Sequence, residues 1–153
     1  NFTNSLRTTV PIEASINPAT KAEFFDKVFI DYPKLEASII DDFIRYKATG
    51  QLPRYFGRDV AYTEPHGAFK AGLMHIHLCL PPNVFPENCP QPDRVCKKGA
   101  PEKDACLVYV QGELYENKYS LIAIMHPDAH GKARQPKVMS HLARIAQKFK
   151  DEN

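Results

Sequence analysis

Apolar and polar positions recur along this chain with two different periods, and the switches between them divide it into elements. From Pro33 to Gly50 the apolar residues Leu35, Ile39, Ile40, Phe43 and Ile44 return every three or four positions, while Asp41 and Asp42 face away. That spacing places one apolar stripe on an amphipathic helix, opened by a proline and closed by a glycine cap. A shorter stripe, Phe24, Phe25, Val28 and Phe29, follows Asn17-Pro18 and predicts a first helix ahead of it. Residues 1–17 keep no steady period and read as a flexible or irregular lead-in.

Residues 51–72 are rich in turn formers, with Pro53, Gly57, Pro65, Gly67 and Gly72. The period then changes to two. In Leu73 to Leu80, Met74, Ile76, Leu78 and Leu80 share one face of a strand, and Leu73, His75, His77 and Cys79 share the other. Six prolines between residues 81 and 104 exclude regular helix and central strand, so this stretch is a long Pro- and Cys-rich loop. Strands resume at Ala105 to Gln111 and Tyr119 to Met125, close enough to form a hairpin. Val138, Met139, Leu142, Ile145, Ala146 and Phe149 then give the apolar face of a last helix from about Pro136 to Phe149. Two N-terminal helices, an antiparallel sheet of about four strands and a C-terminal helix make an α+β domain over residues 18–153.

A chain of 153 residues supports one core, and no apolar run approaches the length of a membrane span. Asn1 to Val10 lack the basic segment and apolar run of a signal peptide. The net charge of +2 excludes little, but its distribution is uneven. Ala14 to Asp42 carries three lysines against six carboxylates, whereas His126 to Lys150 carries six cations against Asp128 alone. The basic end suits a polyanion or an acidic protein partner, or is an ordinary solvated helix surface. Cys79, Cys89, Cys96 and Cys106 form no C-x-x-C pair and no zinc signature. A Cys89–Cys96 disulfide is possible in an oxidising compartment.

Polar residues capable of chemistry gather at element edges: Arg58 and Asp59, His75 and His77, Gln111, and His130 with Arg134. Imidazoles, guanidinium groups and a carboxylate on one small domain suit work on a phosphodiester. There is no Gly-rich nucleotide loop.

In sequence the chain resembles the YafO-type toxins of bacterial type II toxin–antitoxin pairs. The resemblance is carried by Phe43-Ile44-Arg45-Tyr46-Lys47, Gly50, Leu52-Pro53, Phe56-Gly57-Arg58-Asp59, His75-Ile76-His77-Leu78, Leu107-Val108-Tyr109, Gln111-Gly112 and Leu121-Ile122-Ala123-Ile124. It ends with Pro127, His130, Ala133-Arg134 and Met139, and so covers roughly residues 35–150. It implies a RelE-like fold and a cytoplasmic, ribosome-dependent mRNA endoribonuclease. It also implies a small, acidic antitoxin protein as partner in a heteromeric complex. The chain departs from the pattern in its longer stretch from about Pro82 to Lys103, its extended lead-in over residues 1–34, and His126 in place of a lysine.

Cutting RNA without a metal requires deprotonation of the 2′-hydroxyl, stabilisation of the phosphorane and protonation of the 5′-oxygen. The scheme needs no cofactor. His75, His77 and His130 are candidate acids and bases because imidazole titrates near neutrality. Arg134 is the preferred phosphate clamp. The bland alternatives are internally bonded histidines and an Arg134–Asp128 ion pair. Arg58 can bind phosphate and Asp59 can orient a histidine, or the two are structural. Tyr109 can stack on a base or be a half-buried aromatic, and Gln111 lies on the same strand. Lys132 and Lys137 add salt-sensitive attraction to RNA. Two rivals remain. One is a module that binds RNA or the ribosome without cutting. The other is a metal nuclease whose zinc sits on His75 and His77 with His126 or His130.

Overall fold

The computed structural model describes residues 10–97 and 99–153. Its centre is one sheet of five strands: β1 (Glu13–Ile16), β2 (Phe56–Ala61), β3 (Met74–Leu78), β4 (Ala105–Gln111) and β5 (Lys118–Met125). Their order is β1-β5-β4-β3-β2, antiparallel throughout except for the parallel β1–β5 pair. The helices are α1 (Lys21–Phe24), α2 (Asp26–Asp31), α3 (Pro33–Thr49), α4 (His66–Lys70), α5 (Ala129–Ala133) and α6 (Pro136–Glu152). Among the described residues no helix is long and apolar enough to cross a membrane.

Alternation along the strands sorts side chains to two faces. On one face Ile76, Leu78, Leu107, Tyr109 and Leu121 meet Phe25, Val28, Phe29, Leu35, Ile39 and Phe43 from α2, α3 and the bend before them. On the other, Cys106, Val108, Val110, Ile122 and Ala123 meet Ala68 of α4 and Met139, Leu142 and Ala146 of α6. Each fully buried Leu, Ile or Phe stabilises this packing by about 1.5–3 kcal/mol. Pro33 stands in the first turn of α3, and Gly50 ends it at φ 79°, its N–H donating to Tyr46 O.

Five strands replace the expected four or so. The first of them, β1, lies within the lead-in expected to be irregular, and β2 within the turn-rich stretch. Both have weak alternation for a physical reason. Four-residue β1 is an edge strand of exposed and half-buried residues, and the register of β2 shifts between Phe56 and Asp59. The first expected helix is two, broken at Phe25 (φ −122°), and the last runs three residues past Phe149.

The long loop after β3 is ordered by its own polar groups. Buried Arg94 donates from Nε to Cys89 O (2.8 Å) and from its two terminal nitrogens to Phe56 O and Glu87 O (3.4 Å each). Arg94 O in turn accepts the Arg58 N–H at 2.9 Å, so the loop lies along the outer edge of β2. Gly57 permits this approach, because a Cβ there would stand 2.3 Å from Arg94 O. Cys89 and Cys96, possible disulfide partners from sequence, are both free, as are Cys79 and Cys106. The Cys96 thiol instead donates to Leu78 O and Ala105 O.

Candidate active site

His75 and His77 stand two positions apart on β3, so both project from the sheet face covered by α5 and α6. Opposite them, α5 brings His130. Ring centroids are 5.7 Å apart for His75 and His77 and again for His77 and His130. The three imidazoles line a cavity of about 40 Å³ with Tyr62, Asp104, Cys106, Ala129 and Ala133. That space holds about one or two water-sized groups.

Each imidazole is held differently. His130 Nδ1 is 2.8 Å from Asp104 Oδ2, which also accepts the His130 backbone N–H at 2.8 Å. With Nδ1–H directed at the carboxylate, the Nε2 lone pair is left for a substrate proton. The turn that carries His130 is set by Asp128, which caps α5 from a left-handed conformation (φ 55°) and accepts the Gly131 N–H. His77 Nδ1 accepts the backbone N–H of Cys96 at 3.0 Å, so its proton sits on Nε2 and it acts as a donor. His75 stacks on Tyr62, with centroids 4.0 Å apart and planes at 13°. Among the described residues His75 Nδ1 and Asp104 Oδ1 are buried without a hydrogen-bond partner.

Burial pushes His75 and His77 down to about 4, helped at His75 by the neighbouring His77 and at His77 by His130. Both are neutral at pH 7, which makes them hydrogen-bond donors or acceptors and weak acids. The unfolded chain titrates its histidines near 6.5. Between pH 6.5 and 4 it therefore binds protons that the folded chain refuses. Stability is fully present above that window and falls as the pH drops through it. Urea midpoints are expected to fall from pH 7 to pH 5, with a smaller fall in a His75→Phe/His77→Gln variant. Equal falls in the two proteins would overturn the assignment.

Arg58 and Arg134 are both exposed. Arg58 lies on the histidine face of β2, and its charge reaches both His75 and His77. Arg134 follows α5 and lines the next cavity with His130, Asp104 and Asp128. Asp128 serves the α5 turn, and among the described residues Arg134 makes no ion pair. Lys132 donates to Pro127 O, and burial lowers the pKa of its ammonium. Lys137 is exposed on α6.

Three expected site residues stand elsewhere. Tyr109 is 2% exposed on the opposite sheet face, too deep to stack on a base. Its hydroxyl donates to Asp59 Oδ1 at 2.6 Å and accepts from Lys47 Nζ at 2.8 Å. Asp59 is held there by Tyr46 (2.8 Å) and Lys47 (3.0 Å), and influences His75 by its charge alone. Gln111, at the far end of β4, donates to Glu116 O across the hairpin connection. The three-histidine zinc site is not assembled: His77, with Nδ1 accepting the Cys96 N–H and its proton on Nε2, has no lone pair to give, and His126 Nε2 contacts Glu102 O. Among the described residues no group of three His, Cys, Asp or Glu could hold a metal ion.

Asp104 escaped the sequence reading. It precedes an apolar strand, where an aspartate reads as a turn residue, and its partner is 26 positions away. The Cys96 amide has no side-chain signal at all.

Asp104 and His130 thus offer an oriented base, His77 a fixed donor, and Arg58 and Arg134 positive charge, the parts needed for acid–base work beside a phosphate. The model of the family described as "Toxin YafO, type II toxin-antitoxin system" matches residues 44–151. The "mRNA interferase toxin YafO" of Escherichia coli (strain K12) is 38% identical over 113 residues, which cover 71% of this chain and 80% of that protein. No solved structure matches the chain. A family match over more than half of the chain, spanning β2 through α6 and hence the whole histidine face, places it among the YafO toxins of type II toxin–antitoxin systems.

Proposed function

We propose that the chain cuts mRNA held on the ribosome, by attack of the RNA's own 2′-hydroxyl on the adjacent phosphorus, with His130 taking the hydroxyl proton. The endoribonuclease class rests on family membership and on the relative's name, mRNA interferase toxin. The proton route rests on one observation above all: Asp104 holds His130 Nδ1 at 2.8 Å, which leaves Nε2 without a hydrogen-bond partner among the described residues, on a ring 5.7 Å from that of His77. The Nε2–H of His77 donates to a phosphoryl oxygen, and Arg134 and Arg58 offset the charge that grows on the phosphorane. The leaving 5′-oxygen still requires a proton. His75 and His77, neutral at pH 7, are poor sources of one. A source outside the chain fits this need, and a ribosome that grips the message supplies both it and the alignment.

The remaining parts of the proposal follow from the same family. A protein antitoxin is the partner in a heteromeric complex, and the cytoplasm is the site of action. The helix-flanked antiparallel strands and long α6 support a single RelE-like unit, to which β1 adds a parallel edge.

Primer extension on a defined mRNA, with and without purified 70S ribosomes, tests this, together with end-group analysis. Discrete cuts only with ribosomes, leaving 2′,3′-cyclic phosphate and 5′-hydroxyl ends, are expected. Chelator belongs in the ribosome-free arm, since loss of Mg²⁺ dissociates ribosomes. Cuts in free RNA that chelator abolishes would replace this mechanism with a metal nuclease. Folded protein that binds ribosomes and leaves the message intact would make it a blocking module.

A further inference from the structure

The histidine cavity, at about 40 Å³, admits a hydroxyl or a phosphoryl oxygen and is far too small for a nucleobase. An enzyme that aligns a 2′-hydroxyl must therefore hold the attached nucleotide somewhere else nearby. Two cavities adjoin the histidines. One, of about 210 Å³, is reached through His130 and Asp104, and two of its described side chains are the carboxylates Asp104 and Asp128. Its remaining lining is Gly99, Pro101, His130 and Arg134, which offers a base one proline as apolar surface. The other, of about 520 Å³, shares Ala133 with the histidine cavity and Arg134 with the acidic one.

We infer that this larger cavity is a nucleobase subsite, which takes the base of a nucleotide next to the scissile phosphate; the inference rests on the endoribonuclease reading above. A base is a flat apolar plate with hydrogen-bonding edges, and the lining has both characters. Pro65 and Pro136 give apolar surface, and Glu64, His66 and Gln135 give an acceptor, an imidazole and an amide. Placement ties it to the chemistry. Tyr62, which stacks on His75, runs directly into the Thr63–His66 wall, while Ala133 and Arg134 lead from His130 to Gln135. Arg134, between the two spaces, can hold the phosphate while the base lies beyond it. Volume supports the fit, since one base fills only part of 520 Å³ and leaves room for its ribose.

Amide NMR shifts of a His130→Ala protein, titrated with the four ribonucleoside 3′-monophosphates and with ribose 5-phosphate, test the inference without relying on cleavage. The nucleotides are expected to move Thr63, Glu64 and His66 as well as the residues around Arg134, and ribose phosphate to move only the latter. Glu64→Gln and Gln135→Ala should weaken the nucleotide effect about two- to tenfold, the weight of a hydrogen bond. Gln135 makes no side-chain cap to α6, so its loss leaves that helix start intact. Identical shifts from nucleotides and ribose phosphate would overturn the subsite and leave the cleavage mechanism standing. On ribosomes, the same two substitutions should change the base distribution beside the cut. Wild-type protein that shifts with nucleotides and never cuts would remove the mechanism and keep the subsite.

Discussion

His130→Ala should slow mRNA cleavage on ribosomes about 10²- to 10⁴-fold, the usual weight of a positioned general base. Only this imidazole in the cluster combines a carboxylate on one nitrogen with an unoccupied second nitrogen. Asp104→Asn should be the milder lesion, about 10- to 100-fold, because it weakens one charge-assisted hydrogen bond and leaves the imidazole present. Asp104 is 2% exposed and accepts both the ring and the backbone N–H of His130. It touches no substrate and acts through His130. A positioning role therefore predicts a changed tautomer ratio at His130, visible in ¹⁵N imidazole shifts, with thermal unfolding recorded as a control. Cleavage by His130→Ala within threefold of wild type would remove His130 as the base. Unchanged His130 shifts in Asp104→Asn would reduce Asp104 to a packing residue.

The second large effect is on stability and lies on the opposite face of the sheet. Lys47 and Asp59 are only 19% and 11% exposed, and are 3.0 Å apart. The Lys47 ammonium also sits 4.7 Å from the Tyr109 ring centre and 5.0 Å from that of Tyr46. Asp59 accepts from both of those hydroxyls. Removing one partner of such a pair leaves a desolvated charge behind. Asp59→Ala should therefore lower unfolding free energy by about 3–5 kcal/mol, and Lys47→Met by a similar amount. Urea denaturation of the single variants and of Lys47→Met/Asp59→Asn measures the coupling. The double variant should be more stable than the sum of single losses predicts. Losses below about 1 kcal/mol would show that water already screens the pair.

Where local rules suffice, the sequence is a good guide to this molecule. The stripe from Leu35 to Phe43, bounded by Pro33 and Gly50, is α3, and the alternation from Met74 to Leu78 sends the histidines and the aliphatic residues to the correct opposite faces. The hairpin of β4 and β5 follows for the same reason. Edge strands carry no such signature, since β1 is defined by its pairing with β5 about a hundred positions later. The site divides similarly. His75, His77 and His130 do converge, as residue type and strand geometry suggest. For Tyr109 and Asp59 the sequence leaves a substrate-facing and a structural role both open, because alternation says which residues share a face and not that α3 covers it. The role of Asp104 exists only once α5 has folded back over the sheet.

The N–H that fixes His77 belongs to the main chain, with consequences for what the protein tolerates over time. Every residue except proline supplies that donor, so the bond to the ring does not itself depend on the identity of residue 96, whose thiol is tied separately to Leu78 O and Ala105 O. Distance along the chain is not free in this way. An insertion or deletion between the Arg94 anchor and residue 96 would move the donor off the ring even with every side chain of the cluster unchanged. For the bond to His77, the length of this segment matters more than the identity of residue 96.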